Sequence, residues 1–525
     1  MKHSIGCRAA AALLTLTAAV SVLSLPAFAE PENEPETTAA SETTSEAETT
    51  VTTSATTTVT ETTVTETTVT TEETTTTETT ATTVNILTRT EYEETAGGGI
   101  RITRFHWLNE NTVDLPDSIG GKPVTEIAAG AFQYCYADGI RLPQGLLLIG
   151  DSAFAGCAYL KSLQIPQGCR YIGSSAFENC AALAQITVPD TVTEIGARAF
   201  ADTPFLEGQT EDYVILGSGV LYRYQGNSAR ITLPDTVQTI APMAFFGNET
   251  LRSVTLPASV RRIRSTAFDS CTALEEILAE TAPDYVEADA FRNTKWDTEP
   301  AEEFLCIADL LYGYRGKAAE VTVPDGIRVI GEAAFYGNAR LSSVTLPDTA
   351  EEIRRTAFGS CEALQVAELG DRTKSIGDAA FSGDKSLRFV RAGHGLTEIG
   401  GQAFADCESL TELHLPDTLS EIGQKAIGYE TDPADGSLRK MDTPVTLYSN
   451  AEAAKTYAKE NGLISEPLPD EENTAPAPVV TTVPAERLYF TRPEGTRWIP
   501  SLLAGGGLVL AGLIGVLLRR LFRRG

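Results

Sequence analysis

The dipeptide Ala-Phe returns along this chain at a nearly fixed interval, with its ring at Phe132, Phe154, Phe177, Phe200, Phe245, Phe268, Phe291, Phe335, Phe358, Phe381 and Phe404. Successive spacings are 22, 23, 23, 45, 23, 23, 44, 23, 23 and 23 residues, and Ile427 takes the next slot after a further 23. Two of the gaps are therefore one repeat plus an insertion. A period of this length describes a unit too short to close a core alone, so neighbouring copies must stack and share one. A set of independent globular domains is excluded, and one long array takes their place.

A representative unit is "LRSVTLPASVRRIRSTAFDSC", Leu251 to Cys271, with apolar positions at Leu251, Val254, Leu256, Val260, Ile263, Ala267, Phe268 and Cys271. Leu-x-x-Val-x-Leu alternates as a short strand does, and Pro257 ends its ladder where a bend is needed. A second extended piece carries Val260 and Ile263, after which Ala267-Phe268 turns the chain back and drives a ring inward. Stacked coils of this kind should build a continuous parallel sheet and an internal column of leucine, isoleucine and phenylalanine.

The pattern L-x-x-V-x-L-P-x-x-V-x-x-I-x-x-x-A-F-x-x-C resembles the BspA-like leucine-rich repeat of bacterial surface proteins. The resemblance runs from about 86 to 468, including the entry segment "GGKPVTEIAAGAF", the inserts "DYVILGSGVLYRY" and "EFLCIADLLYGY", and a closing segment from Ile427 to Leu463. It implies a repeat solenoid, mainly β with short helical turns, wound as a right-handed superhelix with a parallel sheet. The expected organisation is an entry cap over 85–130, repeats over 131–430 with inserts near 205–227 and 296–317, and a closing cap with a short helix over 431–465. Tyr222 matches Tyr312 across the two inserts, and Phe245, Phe268 and Phe291 match Phe335, Phe358 and Phe381, so a duplicated block is the simplest account.

The nine cysteines read through the same repeat. Cys135, Cys157, Cys180, Cys271, Cys361 and Cys407 each fall three residues after a repeat phenylalanine, a slot filled elsewhere by Asn248, Asn338, Asp384, Thr203 and Thr294. A position accepting Cys, Asn, Asp or Thr resembles a ladder of small side chains that satisfies backbone groups at a turn. Neighbours such as Cys157 and Cys180 would also lie near enough to bridge. Spacings of 22 and 23 residues carry no chelating geometry.

The ends carry topology. Lys2 and Arg8, the apolar run from Ala9 to Leu25 and Ala27-Phe28-Ala29 read as a signal peptide over 1–29. Residues 30–84 are dominated by Thr with 12 Glu and no Lys or Arg, an arm that should remain solvated and offers O-glycosylation sites. A Pro-containing linker over 466–497 leads to the uncharged stretch Ile499 to Leu518, long enough for a transmembrane helix. Arg519, Arg520, Arg523 and Arg524 then place the tail 519–525 in the cytoplasm. The expectation is an exported, single-pass plasma membrane protein with its N-terminal region outside.

A formal net charge of -30 argues against nucleic acid, whose backbone is bound by clustered Lys and Arg. No HExxH, GxSxG, phosphate-binding loop or dinucleotide fingerprint is present, and "DPADGSLRKMD" lacks the terminal Glu of a calcium loop. No enzyme activity, metal or cofactor is expected. What remains is surface. Residues flanking the central apolar position of each strand should point outward: Ser162 and Gln164, Gln185 and Thr187, Arg230 and Thr232, Ser253 and Thr255, Glu320 and Thr322, Ser343 and Thr345. Near the end this changes to Phe389 and Arg391, then Glu412 and His414, an exposed aromatic beside charge and the best patch for a partner, with Arg230 and Glu320 as further candidates. The family resemblance implies binding or adhesion toward an extracellular protein or glycan on host, neighbouring cell or matrix. The alternatives are a passive spacer or coat, and glycan capture serving a separate enzyme.

Overall fold

The computed structural model describes residues 89–107, 111–442 and 444–468, and over these the chain is a mainly β parallel solenoid of about 14 turns. The expected signal peptide, threonine arm, distal linker, membrane segment and basic tail lie outside the described residues. Among the described residues no helix is long and apolar enough to cross a membrane.

Each coil contributes two strands. In the representative unit these are Ser253–Leu256 and Arg262–Ile263, separated by the Pro257 bend. The first strand pairs in parallel with its counterparts one repeat away, Arg230↔Ser253↔Glu276, and the second does the same, Thr239↔Arg262↔Tyr285. Leu251, Val254, Ile263, Ala267, Phe268 and Cys271 are all fully buried. Two ladders therefore take the place of the single continuous sheet. Each is cut into three: the first-strand ladder has segments of 4, 3 and 7 strands, the second 7, 5 and 7.

The third side of the coil is held by hydrogen bonds without strand geometry. Within each stack the repeat phenylalanine donates its backbone N–H to the alanine carbonyl of the next coil, as in Phe154 to Ala176 and Phe268 to Ala290, both 2.8 Å. Left-handed residues bracket the ring two positions before and two after, Thr266 at φ 56° and Ser270 at φ 61° around Phe268. That pair of reversals keeps most of the turns from becoming helical, so the expected short helical turns are few. Helices occur at Pro204–Glu207, Lys295–Thr298 and Glu452–Asn461. The rings stack along the array at centroid separations from 4.5 Å, Phe245 on Phe268, to 5.6 Å, Phe177 on Phe200.

At each insert the column stops and restarts. The inserts fold as antiparallel hairpins, Tyr213–Leu216 with Val220–Tyr224 and Phe304–Ile307 with Leu310–Tyr314. Strand Leu310–Tyr314 is buried along its whole length because it has a core on both faces. Leu305, Ile307, Leu310 and Tyr312 pack into the core before the hairpin, and Leu311 and Tyr314 into the core after it. Val214, Val220 and Tyr222 face backward at the first hairpin, while Leu221 and Tyr224 face forward. Among the described residues the hydrophobic core is accordingly three clusters, not one. Arginines tie across both joints: Arg264 lies 3.8 Å from Glu194, and Arg354 donates to the Asp284 carbonyl and sits 5.8 Å over the Tyr285 ring.

Where a stack ends, a tyrosine finishes it. The N–H of Phe200 has no next-coil alanine and donates to the Tyr222 hydroxyl at 3.0 Å; that of Phe291 donates to Tyr312 at 3.3 Å, and that of Ile427 to Tyr457 at 3.0 Å. The Tyr222 and Tyr312 rings meet the last phenylalanine edge-on, at 5.4 and 5.3 Å. Burial pushes the Tyr222 and Tyr457 hydroxyls up to about 12, so they remain neutral hydrogen-bonding groups. Tyr312 also donates to the Ala288 carbonyl at 2.6 Å. Tyr312→Phe should therefore orphan a buried N–H and cost about 1–3 kcal/mol. Denaturant unfolding would read the loss, and amide exchange should accelerate at Phe291 ahead of its neighbours; unchanged protection there would refute the capping role.

The C-terminal end is closed by helix Glu452–Asn461, whose Ala454, Tyr457 and Ala458 are buried and which stops at left-handed Gly462. The chain then adds Ile464–Glu466 beside Thr446–Tyr448 as the last strand of the first ladder. At the N-terminal end Thr90–Glu94 pairs antiparallel with Ile100–Phe105, and Phe105 and Trp107 cover the first ring, Phe132.

Candidate functional site

The seven-stranded segment of the first ladder presents two outward columns whose order is set by strand register. One reads Thr322, Thr345, Glu368, Arg391, His414, Tyr448, Glu466. The other reads Glu320, Ser343, Val366, Phe389 and, across the next strands, Glu412, Thr446, Ile464. Small hydroxyls give way to an aromatic, a guanidinium and an imidazole within three coils. Arg391 faces His414 directly, and His414 packs on Tyr448 with ring centroids 4.7 Å apart. Arg391 and Glu412 are exposed; His414 is partly covered by Tyr448.

The structure thus gathers Phe389, Arg391, Glu412 and His414 on two adjacent strands, Phe389–Arg391 and Glu412–His414. Phe389 is half-buried rather than exposed, on a strand paired directly beside that of Val366. Arg230 and Glu320 do not join this group. Arg230 belongs to the three-stranded middle segment, where its guanidinium lies 3.8 Å from Glu276, and Glu320 is exposed on the first strand of the seven-stranded segment. Ser253 is a second correction. It points outward but is only 5% exposed, because Glu276 of the next coil folds over it and accepts its hydroxyl hydrogen at 2.7 Å. Tyr448 was the residue missed. It stands in "TPVTLYSN", where apolar alternation continues beyond the last Ala-Phe turn and was the available signal.

The cysteine slot is a hydrogen-bond ladder. The thiols of Cys157, Cys180, Cys271, Cys361 and Cys407 donate to the phenylalanine carbonyl one coil back at 3.1–3.2 Å. Burial pushes Cys271 up to about 12 and raises Cys361 and Cys407 as well, which makes them neutral donors rather than nucleophiles. All eight described cysteines are free thiols. Position in the array decides the substitutes. Thr203 and Thr294, in the last coil before each hairpin, donate to their own phenylalanine carbonyl and cap the short helix that follows. Asn248 and Asn338, in the first coil after each hairpin, accept from the backbone N–H groups of Leu251 and Leu341. Asp384 alone breaks the rule. It sits mid-segment between Cys361 and Cys407, its Oδ1 accepts from the Cys361 N–H at 2.7 Å, and its buried Oδ2 has no partner.

The described histidines stand apart from one another along the array. His106 pairs with Glu91 at 2.6 Å, His394 with Asp371 at 3.3 Å, and His414 stacks on Tyr448. The calcium-like stretch forms the turn of hairpin Tyr429–Thr431 with Leu438–Lys440, where Asp432 and Asp435 accept from the N–H groups of Ala434 and Ser437. Among the described residues no three metal-ligating side chains converge. An open groove of about 660 Å³ between helix Glu452–Asn461 and strand Glu421–Ile422 is edged by Asp417, Glu421, Glu452 and Glu460.

The family model for the BspA type leucine rich repeat region matches in six copies over residues 100–210, 216–299 and 307–432. The chain belongs to the BspA-type leucine-rich-repeat family. The two interruptions in that match, 211–215 and 300–306, fall at the leading strand of each hairpin, and the match resumes within the hairpin. Solved structures similar to this BspA-type chain include a leucine rich cell surface protein from Faecalibacterium prausnitzii, 21% identical, covering 64% of this chain and 93% of its own at a TM-score of 0.24. A leucine-rich repeat protein from Bacteroides ovatus is 20% identical over 73% of this chain and 98% of its own, TM-score 0.24. The pneumococcal vaccine antigen PcpA is 16% identical over 73% and 96%, TM-score 0.22. No curated protein matches the chain significantly.

Proposed function

We propose that this protein is a membrane-anchored, outward-facing binding protein that engages an extracellular protein or glycan through the C-terminal end of its first-strand sheet. The carrying observation is the register column Glu368, Arg391, His414, Tyr448 beside Val366 and Phe389, which follows the small hydroxyls Thr322, Thr345 and Ser343 of the same ladder segment. Arginine and tyrosine anchor interfaces because each combines large contact area with directional hydrogen bonding. A flat sheet without a deep cavity suits contact over several coils, and the net negative charge disfavours polyanions. The signal peptide and the apolar stretch Ile499 to Leu518 supply the cell-surface placement in this reading.

The test is binding of the full-length protein to an array of matrix proteins and glycans, repeated with Arg391→Ala combined with His414→Ala. Loss of about tenfold or more in affinity for whichever ligand registers is expected, as for central interface residues. Silence of the unsubstituted protein across the array would favour a passive spacer. Binding that survives both substitutions would move the site elsewhere.

A further inference from the structure

The described N-terminal coils carry a cluster of exposed rings that the sheet face does not explain. Tyr134, Tyr136 and Tyr159 are 65%, 66% and 53% exposed. Tyr136 and Tyr159 occupy the same position of consecutive coils, 23 residues apart, and their centroids lie 6.1 Å apart at 37°. Two residues beyond each, again in equivalent positions, Asp138 and Lys161 form an ion pair of 2.8 Å. In the coil that follows, the equivalents of Tyr159 and Lys161 are Ala182 and Ala184, so nothing large stands over the second ring. Tyr134 is held flat against its neighbour: a Cβ on Gly156 would lie 2.4 Å from its ring, so only glycine admits this seating. The tyrosines at the stack ends all spend their hydroxyls on backbone groups, whereas those of Tyr136 and Tyr159 engage nothing among the described residues.

We propose that Tyr134, Tyr136 and Tyr159, flanked by Asp138 and Lys161, form a platform for a neutral oligosaccharide. Two ring faces spaced by about one sugar unit offer stacking surfaces to the C–H faces of consecutive pyranoses. The ion pair supplies one acceptor and one donor for sugar hydroxyls. Equal and opposite charges within the patch, on a chain with net charge -30, select against anionic glycans. The site is confined to two coils and stands apart from the Phe389 end, so the two proposals fail or hold independently.

Calorimetric titration of the full-length protein with cellohexaose, mannohexaose and xylohexaose is the experiment, with a sulfated hexasaccharide as the anionic arm. Binding of at least one neutral hexasaccharide is expected, weakened about tenfold or more by Tyr136→Ala with Tyr159→Ala and retained by the pair of Phe substitutions, because the rings carry the contact. Arg391→Ala should leave it unchanged, and thermal unfolding of the alanine pair should match the parent. Absence of binding by all three neutral sugars, preference for the sulfated one, or binding insensitive to the alanine pair would each overturn the proposal.

Discussion

Asp384→Asn is expected to stabilise the protein at neutral pH and to flatten the dependence of its stability on pH. In the slot that Asp384 occupies, every neighbouring thiol donates a hydrogen to a phenylalanine carbonyl. A carboxylate has none to give, and its Oδ2 stands buried without a partner. Burial is the main cause that pushes the Asp384 carboxyl up to about 9, opposed by the Cys361 N–H it accepts. Facing it are the thiols of Cys361 and Cys407, with Asp406 as the further charge acting on Cys407; no cation offsets the carboxylate. The protonated acid is thus the form that fits, its O–H being the missing donor.

The sign follows from proton binding. Unfolded, the group ionises near 4, and folded only near 9, so between those values the native state holds the extra proton. Stability should fall as pH rises from about 4 to about 9, by up to about 1.4 kcal/mol per pH unit. At neutral pH an amide of the same shape should recover about 2–4 kcal/mol. Chemical denaturation at a series of pH values reads both effects. A parent and an Asn variant with parallel profiles would mean that the carboxyl titrates normally and that the slot is wetter than the structure shows.

Phe268→Ala carries the largest expected loss, about 3–5 kcal/mol for the cavity left by a fully buried ring. Phe268 stacks at 4.5 Å on Phe245 and 4.9 Å on Phe291, so the truncation also removes two ring contacts. Its reach should be bounded. The middle cluster runs from Leu221 and Tyr224 to Tyr312, with hairpins at both ends. Amide protection is expected to drop across that span while the stacks around Phe154 and Phe381 lose much less, since coils couple mainly to their neighbours. A uniform loss over the whole array would show that the hairpins transmit cooperativity rather than divide it.

What could be read from the residues was periodic. The 22- and 23-residue spacing, the paired extended segments around Pro257 and the inward phenylalanine all repeat often enough that one copy explains the others. The ladder character of the cysteine slot was legible for the same reason, from the company Cys keeps with Asn, Asp and Thr. Non-periodic features were hidden. A tyrosine that accepts from a backbone N–H leaves no mark, because its partner has no side chain to betray it. Asp384 looked like one more small polar residue; its cost appears only when the carbonyl it cannot serve is located. Ser253 and Phe389 were placed on the correct face, but exposure there depends on the neighbouring coil, Glu276 of the next coil in one case and the strand of Val366 in the coil before in the other.

The double-faced hairpins have a consequence for length. The backward face of each, Val220 and Tyr222 or Leu310 and Tyr312, seals a finished stack, and the forward face, Leu221 and Tyr224 or Leu311 and Tyr314, seeds a new one. Both joints offer the same pair of faces, so they are interchangeable couplings. The array can gain or lose the span from Tyr222 to Tyr312, 90 residues, without any new contact surface. The number of such spans is then a ruler, setting how far the tyrosine platform at one end stands from the Arg391 column at the other.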